Sequence, residues 1–130
     1  MPWGRDDQDW DALLAATESF LIEQAKFKRT TTYTELNATV ARRTGLRPFD
    51  FTQESERAAV GDLLGTIAVK LLPDIGALIS SLVQYIDAND AGSGFYRLAA
   101  DQDMLTPKPT ADQRMIFWVS QVNKVHQRFS

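Results

Sequence analysis

The stretch TTYTELNATVARRTGLRPFDF, residues 31–51, decides how the middle of this chain folds. Thr32 and Glu35 stand at the T-x-x-E spacing of a capping box. In that motif the hydroxyl accepts from the backbone N–H of the third helical residue, and the carboxylate reaches back to the cap. Leu36 and Val40 follow one turn apart and mark a short apolar stripe. Arg42 and Arg43 fill the last turn, where the helix dipole favours positive charge. Gly45 supplies the left-handed residue that ends many helices. The spacing predicts a compact helix over 33–44, about three turns long. Pro48 blocks continuation. A second helix is then expected over 53–71, capped by Asp50 or Thr52, with Gln53 as the third residue after Asp50. Its apolar face is Val60, Leu63, Leu64, Ile67 and Leu71, and Pro73 is expected to stop it. The two helices and their short break make a helix-turn-helix-like unit.

Working outward, residues 8–28 read as an amphipathic helix with Trp10, Leu13, Leu14, Phe20, Leu21 and Phe27 at helical spacing, acidic at its start and basic at its end. The run ALISSLVQYI, residues 77–86, fits two periods. Its β-branched and aromatic residues favour a buried strand, the preferred reading, while Leu78, Ile79, Leu82, Val83 and Ile86 also fit a helix. DANDAGSG, residues 87–94, is loop or hairpin chemistry. A short helix over 94–105 turns Phe95, Leu98 and Ala99 inward. TPKPT, residues 106–110, is a rigid connector. Thr110 and Gln113 repeat the capping spacing at the head of a last helix running to about residue 128, lined by Met115, Trp118, Val119, Val122 and Val125.

The bulk composition narrows the chemistry. With 130 residues, 44% of them hydrophobic and 24% charged, the chain suits a single domain spanning 1–130 with its own core. The sequence has no cysteine, so disulfides, thiol nucleophiles, iron–sulfur clusters and Cys-ligated zinc are excluded. No apolar run approaches the roughly 18 residues of a membrane span. The opening MPWGRDDQDWD is acidic and does not read as a signal peptide, so a cytoplasmic location is expected.

The net charge of −3 is unevenly spread. Residues 1–25 carry one basic and six acidic residues, a net of −5. Residues 26–47 carry Lys26, Lys28, Arg29, Arg42, Arg43 and Arg47 against Glu35 alone, a net of +5. Residues 48–130 return to −3. A basic block in an acidic chain can steer a polyanion to one face, and it can equally answer the acidic N-terminal helix. Catalytic groups are sparse. His126, the only histidine, stands in the last turn of the last helix with no nucleophile nearby in sequence. Asp87, Asn89 and Gly92 match positions 1, 3 and 6 of a calcium-binding loop, but Ala91 and Leu98 occupy positions that need oxygen ligands, so no metal site is expected. Asp101 and Asp103, like Glu54 and Glu56, are two apart and read as solvated surface. Phe95, Tyr96, Phe117 and Trp118 read as core with one exposed ring.

TTYTEL, residues 31–36, followed by ERAAVGDLLG, residues 56–65, and GSGFY, residues 92–96, resembles the winged-helix domain of the alkylguanine-DNA alkyltransferases and their cysteine-less alkyltransferase-like relatives. The likeness covers residues 31–96, about half the chain. It implies a winged-helix-like scaffold, Tyr33 close to a DNA backbone, and Arg57 in the place of the arginine that intrudes into the duplex. The Pro-Cys-His-Arg motif of the transferases is absent, which excludes alkyl transfer.

The expected fold is therefore α+β and mostly helical, a winged-helix-like core with a short strand or hairpin and flanking N- and C-terminal helices. The expected function is non-enzymatic and needs no cofactor: binding of double-stranded DNA through Lys28, Arg29, Tyr33, Arg42, Arg43, Arg47 and Arg57. The alternative is a protein-interaction module on the same scaffold. DNA binding requires the basic residues on one face without acidic cover. The alternative requires an exposed apolar surface, sought at Trp3, Trp10 or Phe49.

Overall fold

The computed structural model describes residues 2–85 and 92–130. Among these, the chain forms five α-helices, two 3-10 turns and one two-stranded sheet. In order they are a turn at Pro2–Gly4, α1 (Asp7–Lys26), β1 (Thr31–Thr32), α2 (Tyr33–Thr44), α3 (Glu54–Ile75), a turn at Ile79–Leu82, β2 (Val83–Gln84), α4 (Ser93–Asp101) and α5 (Ala111–Arg128). The strands are parallel, with Thr31 beside Val83 and Thr32 beside Gln84. The mostly helical α+β reading holds.

The opening stretch folds as its caps dictate. The Thr32 hydroxyl accepts from the Glu35 N–H at 3.1 Å, and Gly45 ends α2 at φ 73°, a left-handed conformation that suits glycine. The return half of the box differs. Glu35 accepts instead from the Thr31 hydroxyl at 2.9 Å. The loop after α2 is pinned by Asn37, whose amide donates to the Phe49 carbonyl and accepts from the Phe49 N–H, both at 2.8 Å.

Three boundaries depart from the sequence reading. Neither Asp50 nor Thr52 caps α3. Gln53 occupies the cap without a side-chain bond, while the Asp50 carboxylate accepts from Thr52 and the Gln53 amide, folding the turn upon itself. These donors, Thr52 first, hold the Asp50 carboxyl below its ordinary pKa. Pro73 does not stop α3, which runs to Ile75 and ends at left-handed Gly76. A proline in the last turn removes one bond to the Val69 carbonyl, and Val69 is exposed, so water can replace it. The short helix is Ser93–Asp101 rather than 94–105.

The described part of this run, residues 77–85, is neither one continuous strand nor a helix. Residues 79–82 make a 3-10 turn, only Val83 and Gln84 join the sheet, and Ile86 lies outside the described residues. The reason is tertiary. The Leu78 N–H donates to the Gln121 side-chain oxygen, and the Ser81 carbonyl accepts from the Trp118 indole, each at 2.8 Å. Two side chains of α5 take the backbone groups that a sheet would otherwise have to satisfy.

The main core gathers Leu13, Phe20 and Leu21 of α1, Leu36 and Val40 of α2, Val60, Leu63 and Ile67 of α3, and Ile79, Leu82, Val83 and Val125. A smaller cluster joins Ala68 and Leu78 to Phe95, Tyr96 and Ala99, with Phe117 and Trp118 half-buried beside it. Tyr96 is buried together with the expected Phe95, whereas Leu98 is only half-buried. α5 corrects the sequence reading most. Trp118, Val122 and Val125 turn inward as expected, but Met115 and Val119, which border the same stripe, stand in solvent.

Candidate functional site

The basic block is divided. Arg43, at the end of α2, reaches back to α1 and holds both oxygens of Glu23, at 2.6 and 2.8 Å, with its guanidinium carbon 5.4 Å from the Phe20 ring centre. This bidentate pairing is chiefly responsible for holding the Glu23 carboxyl below its usual pKa. Arg47 donates to Glu56 at 2.8 Å. Glu56 is thus not solvated surface: it is only 7% exposed and also accepts from the Asp50 N–H. Arg57 donates to the Phe51 carbonyl at 2.7 Å. Lys28, at φ 54°, and Arg29 occupy the exposed turn after α1, and Arg42 is exposed on α2. Arg29 lies over the Phe27 ring, 5.3 Å from its centre.

Behind Arg47 lies a residue the sequence did not single out. Arg5 is 5% exposed, stacked 4.4 Å from the Phe49 ring centre, and its Nε and Nη2 have no hydrogen-bond partner. Burial first, and then the like charge of Arg47, lowers its pKa. No sequence signal marks a lone arginine before an acidic helix as a core residue.

Tyr33 and Arg57, which the family resemblance pairs, line one open cleft of about 810 Å³ between α3 and α4, together with Tyr85, Gly61, Gly65 and Arg97. Tyr33 packs on Tyr85 at 4.7 Å between ring centres and meets Phe51 edge-on at 6.5 Å. Burial, reinforced by Tyr85, pushes the Tyr33 phenol up to about 12. A methyl group added at Gly92 would stand 2.9 Å from the Tyr85 ring and 3.1 Å from the Tyr33 hydroxyl, so these rings close against backbone. The cleft carries acids as well as bases, with Glu54, Asp62 and Asp101 beside the two arginines.

The apolar surface is not where the sequence placed it. Trp10 and Phe49 are buried, and Trp3, although exposed, donates its indole N–H to Asp62 at 2.8 Å. The exposed apolar residues instead include Met115, Ile116 and Val119 on one side of α5, with Ile116 at 71% exposure. Phe27, expected in the core, is 67% exposed. His126, near the end of α5, places its Nε2 3.0 Å from the Arg29 carbonyl and so holds the turn carrying Phe27 against the same helix.

Among the described residues no group of three or more His, Cys, Asp or Glu could hold a metal ion, and the loop residues 87–90 lie outside them. Among the same residues no helix is long and apolar enough to cross a membrane. Neither a family model, nor a curated protein, nor a solved structure matches the chain.

Proposed function

We propose that this chain is a non-enzymatic protein-interaction module on a winged-helix-like scaffold, and that its partner docks on the outer side of α5. The carrying observation is the grouping of Met115, Ile116 and Val119 in solvent on a helix whose other side anchors the core. Exposed apolar side chains are common singly, but three within two turns of one helix favour a contact surface. Arg43 and Arg47 spend their charge on Glu23 and Glu56, which weakens the case for a phosphate-gripping face.

The test places a photo-crosslinking residue at position 116, and as a control at 42, in the full chain. A discrete product from 116, whose two components re-form the complex when purified and fail to do so with Ile116→Asp, supports the reading. Products only from 42, or complex formation indifferent to Ile116→Asp, would overturn it.

A second reading keeps duplex DNA as the partner. It is favoured by the placement of Tyr33 and Arg57 on one cleft, with Lys28, Arg29 and Arg42 exposed elsewhere. Fluorescence anisotropy with labelled duplex at two salt concentrations separates the two. The interaction reading expects no binding even at low salt. The DNA reading expects binding that falls steeply with salt and is lost in an Arg42→Ala/Arg43→Ala variant.

A further inference from the structure

Apart from the α5 surface, the geometry points to a binding site for a small phosphate monoester at the N-terminal end of α4, in the cleft that Tyr33 and Arg57 share. α4 starts at Ser93 after Gly92, which supplies no side-chain cap. The first N–H groups of a helix have no partner within it, and the helix dipole adds partial positive charge there. Ser93 and Gly94 both line the cleft. Arg97 lines it too, and on an ideal helix it lies about 40° round and about 6 Å along the axis from Ser93. Its side chain is exposed and makes no ion pair among the described residues. Arg57 belongs to the same end of the cleft. Its guanidinium donates to the Phe51 carbonyl, and the Phe51 ring meets Tyr33 edge-on. A methyl group at Gly92 would stand 3.1 Å from the Tyr33 hydroxyl and 3.2 Å from that of Tyr85. Two guanidiniums and two phenol hydroxyls thus gather about one uncapped helix start.

An uncapped helix start is not a site by itself. The second observation is Ser80, the one residue of the 79–82 turn on this cleft. It is 6% exposed, and its Oγ has no hydrogen-bond partner. A buried hydroxyl is costly to leave unpaired, and a ligand oxygen in the cleft would pair it. Two cations and free N–H groups suit a dianion with several oxygens better than a single carboxylate. At about 810 Å³ the cleft has room beyond a bare phosphate, and Leu64, Phe95 and Leu98 offer apolar wall to the organic part of an ester. The acids do not crowd the phosphate end. Asp101 stands about 12 Å along α4 from Ser93 on an ideal helix, and Asp62 accepts from the Trp3 indole. Glu54, one turn before Arg57, is the acid of the cleft that opposes an anion there.

Isothermal titration calorimetry on the full chain, with phenyl phosphate as the probe, tests this. A Kd of about 0.1–1 mM is expected for so open a site. Arg97→Gln is expected to weaken binding about tenfold, through the loss of one charge-assisted contact at an exposed residue. Ser93→Pro removes an N–H and keeps the helix. Proline suits the first helical position, and Gly92, at φ −74° and ψ 164°, has the extended backbone needed before it. This variant is expected to weaken binding about fivefold. Ser80→Ala is expected to weaken binding about threefold with thermal stability unchanged or raised, because it deletes an unpaired buried hydroxyl. Glu54→Gln is expected to tighten binding about threefold, by removing the opposing charge. No binding at about 10 mM phenyl phosphate, or equal affinity in the wild type, Arg97→Gln and Ser93→Pro, would overturn the inference. So would a fall in stability of Ser80→Ala with binding untouched. Displacement of phenyl phosphate by duplex DNA at the same phosphate concentration would overturn it too, and would give the cleft to the DNA reading.

Discussion

Arg5, Arg47 and Glu56 set two guanidiniums around one largely buried carboxylate, with Arg5 unable to shed its charge. Removing the carboxylate leaves two like charges without their shared neighbour. Glu56→Ala is expected to lower the unfolding free energy in urea by about 2 kcal/mol. Adding Arg5→Met should return part of that loss, because a buried, unpartnered guanidinium is costly and its stacking on Phe49 is worth only about 1 kcal/mol. Equal losses in the single and double variants would mean that burying the Arg5 guanidinium carries no net cost once Glu56 is gone. Tyr33 makes the second residue-scale prediction. Its folded pKa, about 12, lies above the value near 10 expected when unfolded. The unfolded chain therefore loses this proton first. Its contribution is complete below pH 10 and drains away as pH rises toward 12, by at most about 2–3 kcal/mol. Phenol absorbance during an alkaline titration should show a late-ionising component that is lost in Tyr33→Phe. Gly92→Ala should bring that late ionisation down by levering Tyr85 off Tyr33.

At the scale of elements, the signals that could be read locally are those whose partners lie three residues apart. Thr110 and Gln113 form the full reciprocal cap of α5, with bonds of 3.1 and 2.8 Å. Thr110→Ala should cost about 1 kcal/mol in thermal or urea unfolding. Residues 77–86 were not legible in this way, because the groups that shape them sit some forty residues downstream on α5. Gln121→Leu keeps the volume but strands the buried Leu78 N–H, and should cost about 2 kcal/mol. A neutral outcome would show that the 78–81 turn does not depend on that bond. The length of α3 was misjudged for a related reason: a proline ends a helix decisively only where the carbonyl it strands is cut off from water, and here it is not.

At the scale of the whole molecule, the net −5 of residues 1–25 and the net +5 of residues 26–47 meet through folding. Arg43 closes on Glu23 across α1 and α2, while Lys26, Lys28, Arg29 and Arg42 stay exposed. Two charge blocks that look like a steering field along the chain thus partly cancel in space. Glu23→Gln frees Arg43. It should leave stability close to that of the wild type, as the loss of an exposed, solvent-screened pair does. If the basic surface binds DNA at all, the same variant should strengthen binding at low salt, which duplex anisotropy would report. No change in DNA binding would agree with a surface that does not engage phosphates.

By itself the sequence determined the mostly helical class, the start and stop of α2, the cap of α5, the apolar faces of α1 and α3, and the exclusion of thiol chemistry. These follow from short-range periodicity, from capping between near neighbours, and from composition. Only the tertiary structure decided the rest. It showed which carboxylates neutralise Arg43 and Arg47, that Arg5 and Glu56 are buried, and that residues 78–81 turn to serve α5. It also showed that Met115, Ile116 and Val119 face solvent while Trp118, Gln121 and Val125 face the core. Helical spacing on α5 marks one apolar stripe from Met115 to Val125, and periodicity alone cannot say how much of it the core covers. That limit came from tertiary packing: the distant Leu78 and Ser81 backbone groups hold Gln121 and Trp118 inward, while Met115, Ile116 and Val119 are left in solvent.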